Sequence, residues 1–282
     1  RERLYYQNHV YSDTNVVWLT VSGDGTPIRI SPSGETPSQS LEAISSYRCR
    51  RHLENDYQLE LVTGGKEWFW EAIFNTNRTF AVSTPGAIPG RSSEFRVGLL
   101  NQYKLRPHQV YVYINEERAT AYYFSESQGF IKHTYTGDLR QGNNDFQIVR
   151  KYEPGESNVS IRLDWIEVEY DRILSFDENH LEVLHLGDGS PMKFSISNAR
   201  KSTITVYDTT DPYNVTEIGN TVHDSSANTL TFQKKLASES PTRFLIMDPV
   251  SHLKATSIVR KKSSTVASIP SGANYIVISN EL

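Results

Sequence analysis

The chain has 282 residues, of which 37% are hydrophobic and 11% aromatic, and its formal net charge is -4. These values are ordinary for a soluble globular protein of about two domains, and the slight acidity argues against nucleic acid as a ligand. No stretch approaches the ~18 consecutive apolar residues of a membrane helix. The single cysteine, Cys49, excludes an intrachain disulfide and a CxxC metal site.

Short alternating segments rich in Val, Ile, Tyr, Phe and Thr recur along the chain between turn residues. This pattern is typical of half-buried antiparallel strands, and it predicts an all-β fold of β-sandwich domains. The clearest strand segments are NVVWLTV (15–21), YQLELV (57–62), FRVGLL (95–100), QVYVYIN (109–115), FIKHTYT (130–136), DFQIVRKY (145–152), VSIRLDWIEVEY (159–170), KFSIS (193–197), TITVYDT (203–209), TLTFQKKL (229–236) and RFLIMD (243–248).

Three local features add detail to this pattern. The apolar residues of GKEWFWEAI (65–73) cluster over a length that predicts a helix of one or two turns. The alternation in residues 159–170 slips by one position near Trp165, which predicts a β-bulge. The segment HQVYVYINEERAT is typical of a hairpin, and we place its turn near Asn115 and Glu116.

We expect four regions along the chain. Residues 1–65 hold too few strand segments for a sandwich of their own and are expected to pack on a neighbouring one. Residues 66–172 are expected to form a jelly-roll-like β-sandwich and residues 173–268 a second β-sandwich, although one sandwich interrupted by an inserted jelly roll is an alternative. Residues 269–282 contain the consecutive apolar run Tyr275–Ile278, which is typical of a parallel strand buried on both faces.

Cys49 is a candidate nucleophile because arginines and His52 surround it in SYRCRRHLE, and nearby positive charge favours thiol reactivity. In an extended strand, however, Cys49 and His52 point to opposite faces, whereas a Cys-His dyad requires hydrogen-bond contact. We therefore predict a small, partly buried strand residue and assign no catalytic residue.

The eight histidines are scattered, and no pair has a metal-ligand spacing. The segment HLEVLH (180–185) does not match the HExxH pattern of zinc peptidases. We therefore predict no metal and no other cofactor.

Four carboxylates line the segment DWIEVEYD: Asp164, Glu167, Glu169 and Asp171. Glu167 and Glu169 share a strand face at about 7 Å, which overlaps the spacing of an inverting glycosidase pair. Solvent-facing strands often show the same spacing, so we interpret these carboxylates as a solvated outer face.

Aromatic residues are in surplus between residues 66 and 172. Strand alternation places Tyr111 and Tyr113 on one face and the aliphatic residues of QVYVYIN on the other. Exposed aromatic rings on jelly-roll folds often stack on sugars, so Tyr111 and Tyr113 are candidate glycan-stacking residues.

Six segments occur in a set order along the chain: YSDTNVVWLT (11–20), WFWEAI (68–73), DLRQGNNDFQIV (138–149), DWIEVEYDR (164–172), ITVYDTTDPYNVTEIG (204–219) and GANYIVISNEL (272–282). In this order they resemble the region that precedes the catalytic domain in gingipain-type cysteine peptidases of bacteria. That family includes the sortase of the type IX secretion system. The resemblance extends over nearly the whole chain.

The resemblance implies that ANYIVISNEL is the first strand of a truncated caspase-like α/β peptidase domain. The family's catalytic His, which is followed by Gly, and its Cys nucleophile lie after that strand, downstream of residue 282, so none can be assigned to this chain. The resemblance further implies a non-catalytic accessory region of a secreted or cell-surface cysteine endopeptidase. Its partners would be the downstream peptidase domain, which it shields, orients or stabilises, and a secretion or cell-surface protein.

The sequence leaves several alternatives open. The parent protein is an active endopeptidase, the secretion-system sortase or a relative that has lost its catalytic residues. A carbohydrate-binding jelly-roll module that uses Tyr111 and Tyr113 is a different interpretation, and a structural or adhesive surface protein without a small ligand is another.

Overall fold

A computed structural model describes residues 30–55, 57–60, 67–73, 77–101, 108–124, 128–151 and 161–252, together with Lys254 and Ile258. Within these residues the secondary structure is β, apart from one 3-10 turn at Pro249–Ser251. The predicted all-β fold class is therefore confirmed. The strand predicted at residues 15–21 and the peptidase strand predicted within residues 269–282 lie outside the described residues.

The described residues form twenty strands. In chain order they are β1 (Ser31–Ser33), β2 (Ala43–Ile44), β3 (Ser46–Glu54), β4 (Gln58–Glu60), β5 (Glu67–Phe69), β6 (Glu71–Ile73), β7 (Arg78–Thr84), β8 (Ser93–Asn101), β9 (His108–Ile114), β10 (Glu117–Phe124), β11 (Gln128–Tyr135), β12 (Gly142–Arg150), β13 (Ile161–Ile173), β14 (His180–Leu186), β15 (Pro191–Ile196), β16 (Thr205–Asp208), β17 (Thr216–Ile218), β18 (Val222–Asp224), β19 (Thr229–Lys235) and β20 (Pro241–Met247).

Two antiparallel sheets form the first sandwich. Sheet I has the order β11-β8-β13-β3, with β6 paired beside β13. Sheet II has the order β10-β9-β12-β7. Between β7 and β13 the chain passes repeatedly from one sheet to the other, as in a jelly roll.

The core of the first sandwich follows the period-two alternation of its strands. Phe95 of sheet I and Phe146 of sheet II are fully buried and meet edge to face, with ring centroids 6.0 Å apart. On β9, Val110, Val112 and Ile114 are each 0% exposed. Burying an aliphatic or aromatic side chain of this size contributes about 1.5–3 kcal/mol, so this layer stabilises the pairing of sheets I and II.

The second sandwich combines sheet III, with the order β1-β17-β16-β20-β14, and sheet IV, with the order β18-β19-β15-β2. Its core contains Phe194 and Phe232 of sheet IV and Phe244 of sheet III. The ring centroid of Phe194 lies 4.9 Å from that of Phe232 and 5.4 Å from that of Phe244. Such contacts between buried rings join the two sheets.

Strands from the first 54 residues join both sandwiches. β1 pairs in parallel with β17, and β2 pairs in parallel with β15. β3 instead pairs antiparallel with β13 of the first sandwich. The domain boundaries expected near residues 65, 172 and 268 stay predictions.

The prediction of a helix at residues 65–73 is wrong, because β5 and β6 occupy the part of this segment that the structure describes. Trp70 lies at a bend between these strands, and its backbone N–H donates to the carbonyl of Leu163 at 2.8 Å. Phe69 and Ile73 are 3% and 0% exposed. Bulky aromatic residues pack well on a pleated sheet. Pairing of β6 with β13 also forms the backbone hydrogen bonds that a helix would form within itself.

Two local predictions are confirmed. Asn115 and Glu116 have φ values of 50° and 74° and connect β9 to β10, as a two-residue hairpin of type I′ requires. The pairing of β13 with β8 shifts in register between Leu163 and Ile166, which places a bulge at Trp165.

Candidate functional site

Tyr111 and Tyr113 lie on the side of β9 that faces away from the core, in agreement with the alternation expected from the sequence. Both are partly exposed, whereas the aliphatic residues between and beside them are fully buried. Tyr123 of β10, which is 69% exposed, pairs with Gln109 and therefore lies on the same side. We call Tyr111, Tyr113, Tyr123 and their neighbour Arg118 the tyrosine surface.

Arg118 contacts one ring of the tyrosine surface. It pairs with Tyr113 across the hairpin, and the carbon of its guanidinium lies 5.9 Å from the ring centroid of Tyr111. This distance is within the range of a cation–π contact. The surface therefore combines three phenol groups with one cation, a chemistry suited to stacking on and hydrogen bonding to a sugar. That it binds a glycan stays a prediction.

A second cluster lies on the side of sheet I that faces away from sheet II. Its members are charged side chains from four strands, and we call them the charged lattice: Arg50, His52, Glu54, Glu94, Arg96, Lys132, Glu167 and Glu169. Arg96 lies at its centre, with nitrogen–oxygen distances of 2.6 Å to Glu94, 3.0 Å to Glu167 and 3.0 Å to Glu169. Nε of Arg50 donates to Glu169 at 2.7 Å.

His52 is held between two carboxylates of the charged lattice. Its Nδ1 lies 3.1 Å from Glu167 and its Nε2 lies 3.0 Å from Glu54. Burial favours the neutral ring, but the hydrogen bonds to Glu167 and Glu54 outweigh burial and raise the pKa of His52 to about 9. His52 is therefore a cation at neutral pH and donates from both nitrogens.

The interpretation of the carboxylates as a solvated outer face is wrong for Glu167. Glu167 is 7% exposed and is bonded to both Arg96 and His52. Burial alone would raise the pKa of Glu167, but the hydrogen bonds from His52 and Arg96 outweigh burial and lower it. A glycosidase general acid requires a raised pKa, so this carboxylate does not suit that role.

Trp165 lies across Gly98 on the same side of sheet I. A Cβ atom added to Gly98 would lie 2.6 Å from Cε2 of the indole, so only glycine leaves room for the ring. The centroid of the indole lies 6.0 Å from that of the His52 ring. The bulge in β13 thus places an aromatic ring beside the charged lattice.

Cys49 and His52 do not form a catalytic dyad. Cys49 is 7% exposed and pairs with the buried Tyr170, on the side of β3 that faces the core. His52 lies on the other side and contacts the two carboxylates described above. The opposite orientation follows from the period-two geometry of the strand.

The two histidines of HLEVLH also point to opposite sides of their strand. His180 is exposed, whereas the ring of His185 packs edge to face against Phe194 at 5.3 Å. Burial lowers the pKa of His185. In the part of the chain that the structure describes, no three His, Cys, Asp or Glu side chains are grouped to hold a metal ion.

The sequence patterns missed the charged lattice as a unit. His52, Arg96 and Glu167 come from three strands that lie far apart in the chain, and only the cross-strand register brings them together. Alternation did place Glu167 and Glu169 on one face. No local signal identified their partners.

The fold defines an all-β protein of two sandwiches, with no helix in the described residues that is long or apolar enough to cross a bilayer. No protein-family model matches the sequence, and no curated protein matches it. The crystal structure of dimeric latent PorU from Porphyromonas gingivalis is similar, with a TM-score of 0.63 and 13% sequence identity. The similarity covers 80% of this chain and 22% of the PorU chain, so the chain spans about a fifth of the length of PorU. At this identity the similarity shows the fold.

Two carbohydrate-binding modules are more distant structural neighbours. The family 35 carbohydrate binding module from Clostridium thermocellum has a TM-score of 0.30 and 14% identity, over 44% of this chain and 98% of that one. The CBM36-1 domain of a multidomain xylanase from the hindgut metagenome of Trinervitermes trinervoides has a TM-score of 0.29 and 12% identity, over 44% of this chain and 94% of that one.

Proposed function

We propose that the chain is the non-catalytic accessory region of an exported gingipain-type cysteine peptidase. In this role it shields, orients or stabilises a catalytic domain that follows residue 282, and that domain carries the catalytic His and Cys. The observation that carries the proposal is the ordered set of segments resembling the family. The similarity in fold to the crystal structure of latent PorU supports it.

The segment DLRQGNNDFQIV illustrates what the resemblance contains. Leu139, Asn144, Phe146 and Ile148 are all buried, and Gly142 has a φ of 97° that favours glycine. These residues form a turn and part of the core of the first sandwich. The residues that carry the resemblance at this segment are therefore structural residues of the sandwich, as expected for an accessory region.

The surroundings of Cys49, His52 and Glu167 support a non-catalytic role. Cys49 is buried against the core, and His52 is bonded to two carboxylates on the other side of its strand. The lowered pKa of Glu167 keeps it ionised. Each of these groups has a structural environment that accounts for it.

The first test is to sequence the gene beyond the codon for Leu282 and translate roughly the next two hundred residues, about one domain. A His-Gly pair after one apolar strand and a Cys after a later strand would support the proposal. A stop codon, or further sandwich strands, would contradict it.

The second test concerns the role itself. The parent peptidase is prepared with and without the accessory region, and the melting temperature and peptide turnover of the catalytic domain are compared. We expect the isolated catalytic domain to melt several degrees lower, since each 1 kcal/mol lost shifts Tm by about 2–4 °C for a domain of this size. Turnover by the chain of residues 1–282 alone, abolished by one substitution in it, would contradict the non-catalytic role.

Export is tested separately by fractionating the source cells with an antibody against the chain. We expect the protein outside the cytoplasm, in the medium or at the cell surface. A protein found only with cytoplasmic markers would overturn the exported part of the proposal and leave the fold unaffected.

The second candidate function is polysaccharide binding at the tyrosine surface, which the shared outward orientation of Tyr111, Tyr113 and Tyr123 favours. Electrophoresis in gels that contain polysaccharide tests this function: the retardation of the native protein is compared with that of Tyr111→Ala and of Tyr113→Ala. Tyr213→Ala is the control, because Tyr213 is 90% exposed and lies in the second sandwich. Loss of retardation in the first two variants alone supports a glycan site, and equal migration of all proteins contradicts it.

A further inference from the structure

The outer side of sheet III carries an apolar patch. Val183 of β14, Phe244 and Ile246 of β20 and Val206 of β16 are buried in the second sandwich, so the residues that alternate with them point outward. Several of those outward residues are apolar, and we call them the apolar outer face: Leu184, Leu186, Tyr207, Leu245 and Met247.

These side chains are open to solvent to different degrees. Leu184 and Leu186 are 38% and 58% exposed, and the other three are partly exposed. Cross-strand pairing aligns Leu245 with Tyr207 at the centre of the sheet. Apolar sheet residues that share an outer side in this way cost free energy in water unless another surface covers them.

Charged residues lie among the members of the apolar outer face and beside them. Glu182 pairs with Leu245 on one side, and Glu217 pairs with Tyr207 on the other. Arg243 lies opposite Leu184. All three charged residues are exposed. Apolar side chains interspersed with charged ones are the composition of a contact between domains of one chain, which is more polar than an obligate interface.

We propose that the apolar outer face is the docking surface for the folded domain that follows this chain in the parent protein. This inference rests on the proposed function, which supplies that domain. It names the surface through which the accessory region contacts its partner.

The course of the chain favours a tethered occupant. β20 contributes two members of the apolar outer face, Leu245 and Met247, and the chain leaves the sheet directly after Met247. A domain connected through the residues that follow is held near the face at an effective concentration of millimolar order. Tethering of this kind fills a weak docking site that a free partner would leave empty.

The size of the apolar outer face also favours a tethered occupant. Five partly exposed side chains offer an area on the order of a few hundred Å². A stable complex between separate proteins buries about 1,200–2,000 Å² in total. A second copy of the chain would therefore bind this face too weakly to persist at micromolar concentrations.

Cysteine labelling in the parent protein tests the proposal. Leu186→Cys places a thiol on the apolar outer face, and Val222→Cys places the control thiol on β18 of sheet IV, where Val222 is 52% exposed. The native Cys49 is buried and adds little background. Maleimide labelling rates are compared in the parent protein and in the chain of residues 1–282.

We expect L186C to react at least 10-fold more slowly than V222C in the parent protein and at a similar rate to V222C in the chain of residues 1–282. Adding Leu184→Glu to L186C in the parent protein should restore fast labelling, whereas adding Val222→Glu should not. Equal rates for L186C and V222C in the parent protein would overturn the docking surface.

Two other outcomes would also overturn it. Protection of L186C in the chain of residues 1–282 that grows with protein concentration would identify a second copy as the occupant. Protection in that chain at every concentration would identify part of the chain itself. The proposed function is judged by the translated downstream sequence and by the melting temperature of the catalytic domain, so it can stand when the docking surface fails.

Discussion

Nδ1 of His52 lies 3.1 Å from a carboxylate oxygen of Glu167, although the two residues are 115 positions apart in the chain. The second ring nitrogen of His52 contacts Glu54 at 3.0 Å. The doubly bonded imidazolium links β3 to β13, and its charge is balanced by both carboxylates. This contact makes the stability of the first sandwich depend on pH.

We expect the free energy of unfolding to fall as the pH rises from about 6.5 to about 9. The pKa of His52 is about 9 in the folded protein against 6.5 for an ordinary histidine, so folding favours the protonated ring. Its contribution is fully present below pH 6.5 and is lost as the pH rises through the folded pKa. After solvent screening this loss is on the order of 1–2 kcal/mol.

Urea denaturation at about pH 6 and about pH 10 measures this loss. His52→Gln should lower the free energy of unfolding at the lower pH and flatten its decline toward the higher one. His180→Gln is the control, because His180 is exposed on β14. The same decline in His52→Gln as in the native protein would refute the assignment.

Gly98→Ala should destabilise the protein by about 1–3 kcal/mol, because the new Cβ would lie 2.6 Å from the indole of Trp165. Thermal or urea unfolding measures the change. The double-mutant cycle with Trp165→Ala is the control: once the ring is removed, Gly98→Ala should cost markedly less. An unchanged cost without the indole would show that the ring is not the obstacle.

Asn144→Ala should cost about 1–3 kcal/mol or more, because it leaves buried partners without hydrogen bonds. Asn144 is fully buried, and its Nδ2 donates to Thr84 at 2.8 Å. Its Oδ1 accepts from Asn115 and from the backbone of Arg140, both at 2.8 Å. The neighbouring exposed Asn143 offers a matched control, and Asn143→Ala should change the urea midpoint little.

Cys49 should react with a thiol reagent only when the protein unfolds. It is 7% exposed on the core side of β3, so the reagent reaches it poorly in the native state. Labelling followed across a urea titration should rise in step with loss of the tryptophan signal. Fast, complete labelling of the native protein would contradict the position of Cys49.

Local patterns predicted much of the fold. The strands at Val110–Ile114 and Phe146–Ile148 follow from period-two alternation, and the hairpin at Asn115 and Glu116 follows from the break between two such runs. The outward orientation of Tyr111 and Tyr113 could be predicted for the same reason.

Pairing with distant segments decided the features that local patterns could not predict. Trp68, Phe69 and Trp70 are consecutive and have no clear period. The two short strands of this segment, with Trp70 at the bend between them, follow from pairing of β5 with β4 and of β6 with β13. The charged lattice likewise depends on the register of β3, β8 and β13. Residue types alone made Glu167 look like a solvent-facing carboxylate.

The placement of the first strands has a consequence for the order of folding. Ser33 hydrogen-bonds to Thr216, 183 positions later, and Arg50 bonds to Glu169, 119 positions later. As the chain is synthesised, β3 therefore stays unpaired until β13 of the first sandwich has been made, and β1 stays unpaired until β17 of the second sandwich has been made. Chains with such distant pairings fold slowly. If the chain is exported, as we propose, that delay keeps the newly made chain unfolded for longer, which assists its passage through a membrane channel.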